Sequence, residues 1–255
     1  MQEEIKSEDR VFDFNKIFPI PTELEGTQSP TKIISQEEYD LQEERIAKGD
    51  LTENELKWGV SRGLTQELVD EYINKFGFAD WYGWQDYNWD TKWNASESVF
   101  YGDRYEFNTA WSTPFNLLVE LSKKYPKLTF SVDYADEDFG HNVGHYVLRN
   151  GEEIDCFIPD GGTYESIKMA MQVQYGEPID YFDCNDDVFI EIYNDEELTN
   201  YEKILVDIAY DNEVYPTEDC EWDKLVLERF KEKAMVDEKY ELVAIIQTEL
   251  DKVEN

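Results

Sequence analysis

The chain opens on a run in which apolar and polar residues partly alternate, Val11-Phe-Asp-Phe-Asn-Lys-Ile-Phe-Pro-Ile-Pro21, closed by two prolines. Alternation at period two predicts a short strand, and prolines, which lack a donor N–H, end it in an extended turn. Glu23 to Thr31 carries Gly, Ser and Pro and reads as a loop. Three helices are predicted between 35 and 78. Ser35 followed by Glu38, and Thr52 followed by Glu55, are capping-box patterns in which a hydroxyl and a carboxylate satisfy the free N–H groups at a helix start. The first helix runs to near Gly49 and the second to about Arg62. The third starts at Thr65, sets Leu68, Tyr72 and Phe76 on one face and stops at Gly77. Together they read as an insertion laid over another structure.

The pattern changes after Ser98. Ser98 to Trp111 has strand composition, and Pro114 to Tyr125 spaces Phe115, Leu118, Leu121 and Ser122 for one helical face. Leu128 to Tyr134 alternates strictly, with Leu, Phe, Val and Tyr inward. Gly144 to Asn150 repeats the pattern with Tyr146 and Leu148, and Asn150-Gly151 predicts a tight hairpin into Glu152–Ile158. Strand, helix, strand, strand, strand is half of a split β-α-β arrangement with an added edge. Beyond Pro159-Asp-Gly-Gly162 come a helix over Tyr164–Tyr175 and a strand over Val188–Tyr193. A helix over Tyr201–Tyr210, capped by Asn194 or Asp195, follows, then one long or two short helices over Asp219–Val253.

Charge changes the picture. The 255 residues hold 59 Asp+Glu against 23 Lys+Arg, a formal net charge of -36. Aromatics at 15% separate this chain from disordered acidic ones, which cannot bury enough apolar surface to offset ordering entropy. Glu177 to Asp223 carries 17 carboxylates and one cation, Lys203. Asp133 to Asp160 carries eight carboxylates and only Arg149, whereas Phe100 to Phe130 is nearly balanced. So negative a surface disfavours direct binding to a phosphate backbone. No stretch approaches the ~20 apolar residues of a membrane helix. Cys156, Cys184 and Cys220, odd in number and far apart, form neither a disulfide framework nor a zinc knuckle. With an acidic N-terminus that lacks an apolar leader segment, a cytoplasmic protein is expected.

Three strings then resemble, in order, the signature of the YubB-type ferredoxin-like domain family of phages, plasmids and other mobile elements. They are Asn88-Trp89-Asp90-Thr91-Lys92-Trp93-Asn94-Ala95 after Trp84, then Thr109-Ala-Trp111-Ser-Thr-Pro114, then Tyr134-Ala-Asp-Glu137 with Gly140, Gly144 and Asn150-Gly-Glu152. Upstream, Phe14-Asn-Lys-Ile-Phe-Pro-Ile-Pro21 is similar to the family's Phe-Asn-Lys-Ile-Ile-Pro-Met-Pro. The resemblance covers about residues 12–155. Asp90 stands where the family has Gly and Thr113 where it has Pro, and the family's opening strand is absent, so Val188–Tyr193 is expected to cover the sheet edge. The resemblance implies a fold and a mobile-element setting, with no catalytic residue to carry over. The fold class expected is α+β: a ferredoxin-like antiparallel sheet over 1–160 with the helical insertion at 35–78, and an acidic α-rich region over 161–255 packed on it.

The chemistry is sparse. His141 and His145, the only histidines, lie four apart, roughly 13 Å on a strand at its ~3.3 Å rise, and share a metal only if a turn at Gly140–Gly144 folds them together. Asp183 to Asp187 lacks the Gly and the closing Glu of an EF-hand loop. No phosphate-binding loop, nucleophile elbow or Cys/His pair of familiar spacing is present. A protein without cofactor, metal or catalytic residues is expected. Trp84, Asn88, Trp89, Thr91, Lys92, Trp93 and Trp111 are read as structural, the tryptophans locking the motif onto the sheet, against the alternative of an aromatic recognition platform. The acidic face of Asp183, Asp186, Asp187, Glu191, Asp195, Glu196 and Glu197 is read as the partner-binding surface. The expected function is capture and inhibition of a basic host protein, with nucleic-acid mimicry of a defence enzyme's ligand as the route. The alternatives are a virion structural or assembly protein and a metal- or calcium-dependent enzyme.

Overall fold

A computed structural model of the protein describes residues 1–176, 197–212 and 224–253. The fold is α+β, and the chain forms two compact units, neither of them one continuous segment. One comprises Met1–Phe130 with Val147–Ile154, the other Ser131–Tyr146 with Asp155–Asn255.

The first unit begins with two single-turn helices, α1 (Gln2–Ile5) and α2 (Phe14–Ile17). The strand expected over 11–21 is therefore a helical turn. Asp13 decides it: its carboxylate accepts from the Asn15 N–H at 2.9 Å and nucleates the turn, which Pro19 ends. The three capped helices follow as α3 (Gln36–Ala47), α4 (Glu53–Trp58) and α5 (Gln66–Phe76). Both capping boxes are closed, and Gly77 ends α5 in the left-handed region. α4 is shorter than its pattern because Gly59, at φ +87°, stops it. α3 buries no residue. Two short parallel bridges, Thr27 to Arg62 and Ile33 to Leu64, stitch the insertion to the chain before it, and Arg45 pairs with Glu55 between α3 and α4.

Next come α6 (Trp81–Trp89), β1 (Ser96–Phe100), β2 (Tyr105–Asn108) and α7 (Phe115–Lys124). The single strand read over 98–111 is a hairpin, because the Tyr101–Arg104 turn, with Gly102 at φ +98°, folds the segment back on itself. α7 buries Leu117, Leu118, Leu121 and Ser122 and packs on α6 and α2.

β3 (Phe130–Tyr134), β4 (Gly144–Arg149) and β5 (Glu152–Phe157) form a second sheet in that order, and each strand gives residues to both units. Tyr146 and Leu148 are buried as their alternation predicts, but Leu128 lies outside β3 and is exposed. Asn150 at φ +52° and Gly151 at φ +83° make the two-residue turn their sequence signals.

The second unit is completed by α8 (Tyr164–Tyr175), α9 (Asn200–Asp211), α10 (Lys224–Val236) and α11 (Tyr240–Val253). α9 packs on α8 and α10, and α10 on α11, around Met171, Val206, Ile208, Leu227, Phe230 and Ile246. The cap of α9 is Thr199 rather than Asn194 or Asp195: its hydroxyl accepts from the Glu202 N–H while the Glu202 carboxylate accepts from the Thr199 N–H at 2.5 Å. The terminal segment is two helices, broken at Glu238, φ +58°. Ile245, expected in its apolar stripe, is exposed. The strand expected over Val188–Tyr193 lies outside the described residues.

Candidate functional site

The tryptophan motif is where sequence signature and geometry meet, and it has an inner and an outer half. The inner half begins with Asp80, whose side chain caps α6 by accepting from the Gly83 N–H at 3.0 Å. α6 carries Trp84 and Trp89 into the core. Trp89 is fully buried, its ring set edge-on to Phe14 and Trp84, with its Nε1–H donating to the Phe18 carbonyl at 2.8 Å. Asn88 donates back to the Trp84 carbonyl at 2.8 Å and so stiffens the last turn.

At Asp90 the chain leaves the helix with φ +61°, a conformation that glycine adopts most readily. Asp is among the few side-chain-bearing residues that tolerate this region, and here its carboxylate is also used. It accepts from the Asn116 N–H at 2.8 Å and the Asn116 amide at 3.0 Å. Burial nevertheless pushes the Asp90 carboxyl above the ordinary aspartate range, against those hydrogen bonds.

From Asp90 the motif is cross-braced to the second signature string. Buried Thr91 donates to the Ala110 carbonyl at 3.0 Å and accepts from the Ala110 N–H at 3.2 Å. Ser112 donates its hydroxyl to the Asp90 carbonyl. Asn94 ties the motif to the N-terminal segment, accepting from the Phe14 N–H at 2.9 Å and donating to the Asp13 carboxylate at 2.7 Å. Asp13 is buried and central to this knot, a role that sequence reasoning missed.

The outer half is different. Trp93 and Trp111, expected in the core, are 56% and 69% exposed. Between them lies Lys92, its Nζ 4.0 Å from the Trp93 ring centre and 3.3 Å from that of Trp111. Trp111 is held at φ +69°, a strained conformation for a bulky residue, while Thr109 donates its hydroxyl to the Ser112 carbonyl at 2.7 Å across the same turn. The two signature strings thus build a rigid platform that points a Trp–Lys–Trp stack outwards.

Of the residues assigned to the acidic face, Asp183, Asp186, Asp187, Glu191, Asp195 and Glu196 lie outside the described residues. Glu197 is described and exposed. Cations in the described part are widely engaged with carboxylates of the same molecule. Arg229 makes a bidentate pair with Asp207 at 2.8 and 2.8 Å, Lys233 reaches Asp211 at 3.3 Å, and Lys75 reaches Glu23 at 2.7 Å.

The two histidines do not come together on one centre. His141 is an exposed turn residue whose N–H donates to the Asp138 carbonyl at 2.8 Å. His145, on β4, faces Asp133 on β3, with Nδ1 to Oδ1 at 2.7 Å. Among the described residues no group of three or more His, Cys, Asp or Glu is placed to hold a metal ion. Among them, too, no helix is long and apolar enough to cross a membrane.

Residues 88–175 match the family described as the ferredoxin-like domain in Api92-like protein. The match starts at Asn88 in the motif, takes in all three strings and the β3–β5 sheet, and ends at the last residue of α8. Over this part, about a third of its length, the chain is similar to a ferredoxin-like domain. No curated protein and no solved structure matches the chain.

Proposed function

We propose that this is a non-enzymatic, acidic binding protein that captures a basic host protein. The supporting observation is the uncompensated charge: -36 in total, with cations such as Arg45, Lys75, Arg229 and Lys233 already committed to internal carboxylates. A field of that sign steers a cationic partner into encounter and weakens with salt. The carboxylates of 183–197 are the densest part of the charge, and a basic nucleic-acid cleft of a defence enzyme is the partner they fit. A phage or plasmid protein acting in the host cytoplasm is the setting this reading assumes.

The test converts Asp183, Asp186, Asp187, Glu191, Asp195, Glu196 and Glu197 to their amides and compares both proteins as baits in bacterial lysate. A nucleic-acid-binding protein retained stoichiometrically by the wild type, released by high salt and lost with the amide variant is the expected result. Equal retention by the two baits sinks the proposal. The outward Trp93 and Trp111 favour a second reading, an assembly protein of a virion, since exposed tryptophans concentrate at binding hot spots. Salt-insensitive self-association that Trp111→Ala abolishes marks that outcome.

A further inference from the structure

A second cluster stands on the β3–β5 sheet, among residues of the second unit. The two-residue Asn150–Gly151 turn fixes the β4–β5 register, setting Arg149 opposite Glu152. Both strands are six residues long, so four steps back from the turn His145 stands opposite Cys156. Directly opposed residues of an antiparallel pair share a face, with Cβ atoms ~5 Å apart. On the other side of His145, Asp133 of β3 holds Nδ1 at 2.7 Å. Asp133, His145 and Cys156 therefore form one row across three strands. Cys156 is exposed and in no disulfide, and His145 is 26% exposed.

The row has a defined proton arrangement. An ionised carboxylate only accepts, so neutral His145 carries its proton on Nδ1 and leaves Nε2 as a base. Tyr134 of β3 is near enough to sense charge on Cys156, which contributes with burial to raising its phenol. Asp155 accepts from the Cys156 N–H at 3.0 Å. Arg149 and Glu152 follow at the hairpin end of the strand pair. Among the described residues, His145 is the imidazole that faces Cys156 across the strand pair, and Asp133 and Asp155 are the carboxylates beside it.

We propose that Asp133, His145 and Cys156 make Cys156 a reactive thiol, a modification site for small neutral or cationic disulfides. The thiol proton passes to His145 Nε2 and the sulfur attacks one sulfur of the disulfide. The S–S bond breaks, a mixed disulfide forms on Cys156, and the leaving thiolate takes the proton from His145. Asp133 is a positioning residue that holds the ring through its contact with Nδ1. The open sheet face gives a modification site rather than a substrate pocket, and the charge of -36 selects against anionic disulfides.

The experiment treats the full chain with neutral 4,4′-dithiodipyridine across pH 5.5–10 and maps the label on Cys156 by mass spectrometry. At pH 6.5 an ordinary thiol is about 1% thiolate. There wild-type Cys156 reacts roughly fivefold faster than Cys156 in His145→Gln, with Asp133→Asn in between. At pH 10 the order inverts, because a less basic thiolate is the weaker nucleophile. A purely structural role for His145 produces no such crossing. Superimposed profiles overturn the proposal. So does a wild-type rate that climbs about tenfold per pH unit through pH 8, a result that needs no variant.

Discussion

Trp89 and Trp93 are four residues apart in one signature string, yet the structure assigns them opposite energetics. Replacing Trp89 with Phe deletes part of a fully buried ring and removes the donor to the Phe18 carbonyl. The lost atoms and the remaining void cost roughly 1–2 kcal/mol. The carbonyl left without its donor adds about 1–2 kcal/mol. Trp89→Phe is thus expected to destabilise the first unit by about 2–4 kcal/mol. Trp93→Ala and Trp111→Ala give up a cation–π contact at exposed rings, about 0.5–1 kcal/mol each. Urea titrations followed by far-UV circular dichroism, with midpoints converted through the slope, measure all three. A Trp89→Phe cost below about 1 kcal/mol, or a Trp93→Ala cost matching that of Trp89→Phe, refutes the division of the motif into an inner and an outer half.

Further outcomes follow from single contacts. A Cβ at Gly144 would lie 2.5 Å from the Tyr134 hydroxyl, so Gly144→Ala should cost about 1–3 kcal/mol and much less in a Tyr134→Ala background, measured by a double-mutant cycle. Thr199→Ala removes the hydroxyl that caps α9 and should lower stability by about 1 kcal/mol in thermal melts, with the loss centred on the second unit. Glu55, held by Arg45 and by the Thr52 N–H and hydroxyl, titrates at about 2, and carbon-detected NMR should show that value rise in Arg45→Ala. Because the folded value is depressed, the stabilisation linked to Glu55 is complete above the unfolded carboxyl range near 4.5 and disappears as pH falls towards 2.

Local chemistry made most of the helices legible before any coordinates. Ser35, Thr52, Thr65 and Gly77 are end signals whose geometry is set within four residues, and the turn at Asn150–Gly151 is equally local. The helical turn at Phe14 escaped notice because Asp13 competes with alternation, and its carboxylate is shared with Asn94, 81 positions away. Trp93 and Trp111 escaped for a related reason. Burial of a tryptophan depends on which way a braced loop turns, and the hydrogen bonds of Thr91, Ser112 and Thr109 that turn it are invisible to composition. Strict alternation did put Asp133 and His145 on the polar side of their strands. Cys156 joins that row through the register that the Asn150–Gly151 turn sets, whereas the pairing of β3 with β4 spans a longer connection and carries no such local signal.

The compact units are interleaved along the chain. Each takes residues from before and after the other, and the crossings fall within β3, β4 and β5. A ribosome therefore releases the whole of Met1–Phe130 before the first unit has its last strand segment, Val147–Ile154. The second unit, in turn, has Ser131–Tyr146 long before the rest of it, Asp155–Asn255, is made. Neither unit can be completed by a contiguous gene fragment, and any split or fusion of this protein has to be placed outside the sheet.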